Sequence, residues 1–195
     1  MYQVGLTGGI GSGKTLVCSV LEKLGVPVYY ADVEARRLMN GDQDVSKQIV
    51  ELFGRETYRR GFLDRVFLAQ RVFGYPEMLA KLNAIVHPAV RNDYSLWVLR
   101  QHDVPYVVEE TAILFESGAN RLFDRSVFVY APEVVRISRV MQRDRVEEKG
   151  VRRRMMHQMD EKEMKELADD IIINDGKEML LPQIIWIHQE ILNSI

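Results

Sequence analysis

The sequence predicts an α/β fold, in which a doubly wound parallel sheet carries two helical insertions. Short apolar runs that are typical of buried strands alternate with helical patterns, and two longer stretches contain helical patterns only. Strands that are apolar on both faces favour a parallel sheet. Because such sheets bind their ligands beyond the carboxyl ends of the strands, functional residues are expected directly after the apolar runs.

The core elements follow each other in a simple order. Residues 2–6 form a first strand, a glycine-rich turn follows, and apolar residues at helical spacing predict a helix from Lys14 to Leu24. A second strand at 26–30 ends just before Asp32. Further strands are predicted at 104–110, 126–130 and 170–174.

Two stretches interrupt this alternation. Residues 35–100 show helical patterns without a convincing strand, with breaks at Pro76 and at His87-Pro88, and residues 133–168 look like a charged helical pair joined near Gly150. We therefore divide the chain into a core (1–34, 101–132 and 169–195), a helical insertion (35–100) and a second insertion that suits a lid (133–168).

Composition narrows the class of protein. A chain of 195 residues with 47% hydrophobic content can bury a core without disulfides or metal, and its net charge of -2 gives no overall attraction to nucleic acid. The single cysteine, Cys18, fits a reducing compartment and a buried position on the first helix. No apolar run reaches the length of a membrane span, and the start lacks a secretion-signal pattern. We expect a cytoplasmic protein without nucleic-acid or membrane partners, a monomer in the simplest case, with an oligomer left open.

The glycine-rich turn matches a phosphate-binding motif. Residues 8–15, hereafter the phosphate loop, satisfy G-x-x-x-x-G-K-[ST] between a strand and a helix. The loop residues expected to bind phosphate through backbone N–H groups are Gly8, Gly9, Gly11, Ser12 and Gly13. Lys14 would bridge the β- and γ-phosphates, and the Thr15 hydroxyl would bind Mg²⁺. The motif predicts ATP and Mg²⁺ as cofactors.

The motif alone does not show whether the γ-phosphate goes to water or to an acceptor, so other sequence features must decide. A GTPase would carry an Asn-Lys-x-Asp element, and the comparable stretch Asn174–Lys177 has the wrong order. A kinase needs a proton acceptor, and Asp32 at the end of the second strand is the candidate base. Asp32 could instead cap a helix that begins near Val33. The alternative that is not an enzyme is a binding module in which ATP closes a lid and hydrolysis is incidental.

A basic cluster supports the interpretation as a kinase. Eight basic residues stand against three acidic ones between Arg136 and Arg154, and Arg136, Arg139 and Arg143 share one helical face. Guanidinium groups on both sides of a hinge suit a lid that folds over a triphosphate. A solvated charged face is the alternative for each arginine, and a nucleic-acid patch is less favoured because the next helix is acidic.

Several motifs in order carry a family resemblance: GLTGGIGSGKT (5–15), Ala31-Asp32 followed by Ala35-Arg36, LNAIVHPAVR (82–91), ILFESG (113–118), MQRD (141–144), Arg154-x-x-x-Gln158-Met159 and ADDIIINDG (168–176). In these the chain resembles the dephospho-CoA kinase family along nearly its whole length. The resemblance implies transfer of the γ-phosphate of ATP to the ribose 3′-hydroxyl of dephospho-CoA. Another small-metabolite or nucleoside monophosphate kinase stays open as an alternative.

The resemblance also implies roles for individual residues. Asp32, Lys14 and Arg139 would be catalytic, Arg139 and Arg154 would bind the nucleotide from the lid, and Asn174 with Gly176 would pack the adenine. Residues 35–100 would form the acceptor domain. The residues implied to bind the acceptor are Asp32, Arg36, His87 and Pro88. For the last two, a helix break with a packed histidine is the structural alternative.

Overall fold

The computed structural model describes residues 1–156 and 158–195. The strands are β1 (Tyr2–Thr7), β2 (Val28–Tyr30), β3 (Tyr58–Arg59), β4 (Phe62–Leu63), β5 (Tyr106–Glu110), β6 (Arg125–Tyr130) and β7 (Asp170–Ile173). The helices are α1 (Lys14–Lys23), α2 (Ala31–Gly41), α3 (Gln43–Phe53), α4 (Arg65–Val72), α5 (Pro76–Val98), α6 (Glu133–Asp144), α7 (Glu148–Met155), α8 (Glu161–Leu167) and α9 (Leu180–Asn193). Short 3₁₀ turns lie at Arg55–Thr57 and Ala119–Leu122.

The large sheet confirms the predicted α/β fold. Its strand order is β2-β5-β1-β6-β7, and every pairing is parallel. One face packs against α1 and α9 through a hydrophobic core that includes Cys18 and Ile184. The other face packs Phe128 against Leu114 and against Met164 of α8. The carboxyl ends of β1, β5, β6 and β7 therefore share one edge, where the candidate site lies.

The structure corrects three details of the predicted elements. A two-stranded hairpin, β3-β4, lies inside the stretch predicted to hold only helices. Pro88 does not break a helix, because α5 continues through it. The described part of the charged stretch, 133–156 and 158–168, holds three helices, α6 to α8. Gly150 lies within α7, and the turn after α6 is made by Arg145 in a left-handed conformation.

The chain divides into two compact units. The first unit comprises residues 1–30 and 101–195, with the large sheet and α6 to α8, and the second comprises residues 31–100, with α2 to α5 and the hairpin. The second unit buries Leu38, Ile49 and Val86 of its three longest helices. Within the described ranges, none of the helices is both long enough and apolar enough to cross a membrane.

Candidate active site

The phosphate loop connects the end of β1 to the start of α1, as predicted. Gly13 precedes α1 with a φ of 100°, and Gly11 has a φ of 80°. A Cβ on Gly11 would lie 2.6 Å from the Arg136 carbonyl oxygen, so glycine is required there by space as well as by conformation. The backbone N–H groups at the start of α1 are the donors that a phosphate group would accept from.

The Lys14 side chain extends back across the phosphate loop. Its Nζ donates to the Gly8 carbonyl oxygen at 2.8 Å and lies 3.7 Å from Glu110 Oε1. Glu110 is the last residue of β5 and pairs in register with Leu6 of β1, so the sheet itself positions this carboxylate. The Lys14 and Glu110 side chains are only 13% and 10% exposed, so a positive charge is held at the loop with little access to water.

Arg139 and Asn174 close the other side of the loop. Asn174 Nδ2 donates to the Ser12 carbonyl oxygen at 2.7 Å, in a buried hydrogen bond. Arg139 donates through Nη1 to the Asn174 carbonyl oxygen at 3.1 Å and through Nη2 to Asn174 Oδ1 at 3.3 Å. The structure therefore brings together Arg139, Asn174, Ser12 and Lys14, four residues that the sequence analysis singled out from distant parts of the chain.

Two further side chains touch the loop, and sequence reasoning assigned neither to the site. Gln158 Oε1 accepts a hydrogen bond of 2.8 Å from the Ile10 backbone N–H. Arg136 is buried, and a Cβ on Gly9 would collide with its guanidinium group. Gln158 belongs to the motif at 154–159, and Arg136 belongs to the basic face of α6. Only the folded arrangement shows that they turn toward the loop.

Two buried hydroxyls at the same edge lack a hydrogen-bond partner in the described part of the chain, namely Thr7 Oγ1 and Ser12 Oγ. Both are almost fully buried. Because buried hydroxyls normally bond to something, this edge of the sheet suits a polar ligand with acceptor atoms. Thr15 is the second residue of α1 and is exposed.

The remaining residues predicted to bind the nucleotide lie in different surroundings. Arg154 of α7 donates to Asp144 Oδ2 at 2.7 Å, and Arg143 pairs with the same carboxylate. Hydrogen bonds from these guanidinium groups lower the pKa of Asp144. Gly176 has a φ of 84° in the turn after β7 and faces open space. The structure thus brings Arg139 to the loop and pairs Arg154 with Asp144.

The residues predicted to bind the acceptor all belong to the second unit. Asp32 and Arg36 are exposed and stand one turn apart on α2, and His87 is half-buried on α5, which packs against α2. Burial and the neighbouring Arg91 lower the pKa of His87. Because α2 begins at Ala31, Asp32 lies inside its first turn and is not its N-cap. The alternative in which Asp32 caps a helix that begins near Val33 is therefore wrong.

Glu109 and Glu110 have different surroundings, as expected of neighbours on a strand. Glu110 faces Lys14, whereas burial raises the pKa of Glu109 from its ordinary value of 4.5 to about 7. Strand alternation in the sequence could have separated the two residues. It could not have shown which of them faces the lysine.

A parallel sheet whose first strand ends in a glycine-rich phosphate loop, with a lysine and an arginine at that loop, defines a P-loop nucleotide-binding protein. The family model for dephospho-CoA kinase matches residues 2–179. A dephospho-CoA kinase of Salinibacter ruber is 45% identical over 179 residues, covering 90% of this chain and 90% of that protein. The chain belongs to the dephospho-CoA kinase family, and it is therefore a kinase that uses ATP.

Two solved structures share this fold. A crystal structure of a Thermus thermophilus protein superposes with a TM-score of 0.85 at 33% identity, covering 100% of this chain and 97% of that one. A dephospho-CoA kinase from Campylobacter jejuni shares the fold, with a TM-score of 0.70 at 24% identity and 98% coverage of both chains.

Proposed function

We propose that this chain transfers the γ-phosphate of ATP to the ribose 3′-hydroxyl of dephospho-CoA, giving CoA and ADP, as the last step of coenzyme A synthesis. The observation that carries the proposal is the family match over residues 2–179, joined to a phosphate loop that is complete in this chain. The family relation supports the acceptor, and the loop supports the phosphate donor.

The chemistry needs two kinds of groups from the protein. The acceptor oxygen forms a bond to the γ-phosphorus while the bond from the γ-phosphorus to the β–γ bridging oxygen breaks, and ADP leaves. Lys14 and Arg139 supply positive charge for the oxygens that gain negative charge, which is the largest protein contribution in such reactions. Asp32 accepts the proton of the hydroxyl group.

A divalent metal fits the residues at the loop, although they do not form a complete protein cage. Within residues 1–156 and 158–195, no group of three metal-ligating side chains could hold an ion by itself. The Thr15 hydroxyl would be the protein ligand of a Mg²⁺ ion that arrives with ATP. Such an ion neutralises phosphate charge when it is bound.

The other assignments complete the proposal. Residues 35–100 form the acceptor domain, with Arg36, His87 and Pro88 binding dephospho-CoA, and residues 133–168 form a lid that carries Arg154 to the nucleotide. The core (1–34, 101–132 and 169–195) binds ATP, with Asn174 and Gly176 beside the adenine. We place the enzyme in the cytoplasm and take the monomer as its working form.

The test is release of ADP by the purified protein with Mg-ATP, with and without dephospho-CoA. We expect turnover that depends on the acceptor, with product phosphorylated at the 3′ position as identified by mass spectrometry and ³¹P NMR. Asp32→Asn should lower kcat by about 10²- to 10⁴-fold with little change in the Kd of ATP. The matched control is Asp44→Asn, since Asp44 is also exposed in the first turn of a helix of the second unit.

Either part of the proposal can fail separately. If dephospho-CoA adds nothing to the background rate with ATP alone, the acceptor assignment is wrong and another small-molecule hydroxyl must be sought. If Asp32→Asn and Asp44→Asn have equal kcat, Asp32 is not the base.

A further inference from the structure

We infer that residues 158–161 fasten the phosphate loop, with Gln158 as a positioning residue at Ile10 and the Arg136–Glu161 pair as a second fastening at Gly9. The inference rests on the proposed function for its kinetic readout. Both contacts reach the first half of the loop. Gln158 binds it directly from the segment before α8, whereas Glu161, the first residue of α8, pairs with Arg136 of α6, which lies against Gly9.

The first fastening is the hydrogen bond from the Ile10 N–H to Gln158 Oε1, at 2.8 Å. The Ile10 side chain also packs against a small apolar cluster of Ile137, Val140 and Val151. Ile10 is thus held by its backbone from one side and by its side chain from the other. Removal of the Gln158 oxygen would leave a half-buried N–H without its acceptor, which proteins avoid.

The second fastening uses charge. Arg136 is 6% exposed, donates through Nε to the Ala131 carbonyl oxygen at 3.1 Å, and forms an ion pair with Glu161 at the start of α8. Its guanidinium group lies against Gly9, where a Cβ would collide with Nη1. A buried arginine is tolerated only when its charge is paired, so Glu161 keeps this group in place beside the loop.

Together the two contacts explain how the loop holds its shape before the helix begins. The Ile10 N–H is committed to Gln158, and the Ser12 N–H turns back to the Gly9 carbonyl oxygen at 3.0 Å. The peptide group between Gly9 and Ile10 is therefore fixed at both its N–H and its carbonyl oxygen, and this holds the direction of the amides that follow. Catalysis by donors requires that they are oriented in advance, so this fastening acts on the step that uses ATP.

The test is Gln158→Met, which keeps the length of the side chain and removes its strong acceptor oxygen. We expect faster amide hydrogen exchange at Ile10, unchanged exchange in α1, and a rise of about tenfold in the Kd and KM of ATP. The KM of dephospho-CoA should stay within about twofold. Gln189→Met is the matched control, because Gln189 is exposed on α9, and it should change none of these values.

Glu161→Gln tests the second fastening while keeping the size of the side chain. We expect a smaller loss of ATP affinity, of about threefold, and a combined effect with Gln158→Met that differs from the product of the two, because both act on one loop. A purely structural role would lower the melting temperature and leave the KM of ATP unchanged, and that result would overturn the inference. Unchanged Ile10 exchange in Gln158→Met would overturn it as well.

These measurements separate the inference from the proposed function. If the wild-type protein does not phosphorylate dephospho-CoA, the acceptor assignment fails, but calorimetric titration with ATP and exchange at Ile10 still decide whether Gln158 positions the loop.

Discussion

The phosphate loop and the second unit present their predicted functional residues in different ways. At the loop, Lys14, Arg139 and Asn174 are joined to the backbone of the loop by direct hydrogen bonds. In the second unit, Asp32 and Arg36 are exposed on α2. A site for a common ligand such as a triphosphate can be recognised from geometry alone, whereas the acceptor site is supported mainly by family likeness. Substitutions in the two regions should therefore differ in their effects.

Lys14→Met should lower kcat/KM for ATP by about 10³-fold, because the charge that faces the transferring phosphate is lost. Lys23→Met is the control, since Lys23 is exposed at the other end of α1. Steady-state kinetics and calorimetric binding of ATP measure the effect. Equal kinetics for the two variants would contradict the role of the loop and would weaken the comparison itself.

Gly13→Ala should lower the free energy of unfolding by about 3 kcal/mol and impair ATP binding. An alanine at position 13 would have to adopt a φ of 100°, and its Cβ would collide with Asn174 Nδ2. Gly25→Ala isolates the first cause, because Gly25 has a φ of 84° with nothing within 4 Å of the added Cβ. Urea unfolding of both variants should show the larger loss at Gly13, and equal losses would mean that the contact with Asn174 costs nothing.

Glu109→Gln should stabilise the protein at neutral and alkaline pH by about 2 kcal/mol, a value reduced because the side chain keeps some contact with water. The folded state raises the pKa of Glu109 to about 7, so wild-type stability falls as pH rises from 4.5 to about 7 and the penalty is constant above that. The advantage of the variant should therefore grow over the same range. Thermal unfolding from pH 4 to 9 checks this.

The control for that series is Glu163→Gln, at an exposed glutamate of α8. We expect its stability difference from the wild type to lack the rise between pH 4.5 and pH 7. If the Glu109 and Glu163 variants gave parallel curves, burial of Glu109 would not control its ionisation.

Pro88→Ala should raise the free energy of unfolding by about 1 kcal/mol, because an alanine can donate the helix hydrogen bond that proline cannot. Pro76→Ala provides the contrast, since Pro76 is at the first position of α5, where no such bond is made. Denaturant unfolding and the KM of dephospho-CoA should be measured together. A gain in stability with a raised KM would support an acceptor role for Pro88, and a gain with unchanged kinetics would assign it to structure only.

Much of the fold could be predicted because local patterns agree with the final structure. Buried strands appear as continuous apolar runs, and Gly11 and Gly13 of the phosphate loop have positive φ values that favour glycine. The hairpin β3-β4 was missed because its turn uses Arg60 and Gly61, both with positive φ, where Asn-Gly is the usual signal. Helix α5 continues past Pro88 because its packing against α2, α3 and α4 outweighs a local preference.

Less of the site could be predicted, for a physical reason. The loop motif is local in sequence, but the groups that hold it come from residues 136–174, and side-chain direction cannot be inferred from spacing alone. Arg136 and Arg143 share a helical face by periodicity, yet one is buried against Gly9 and the other pairs with Asp144 at the surface. Arg136 is held by the Ala131 carbonyl oxygen and by Glu161, two partners that helical spacing does not reveal.

The hydrogen bond between Asn174 and Ser12 also limits when the phosphate loop can reach its final structure during synthesis. The phosphate loop leaves the ribosome early, but its closing partner follows β7, the edge strand that joins the sheet beside β6. A nascent chain that lacks this strand would carry the ATP-binding motif without the contacts that hold it. The contacts that hold the phosphate loop can therefore form only after residue 174 has left the ribosome.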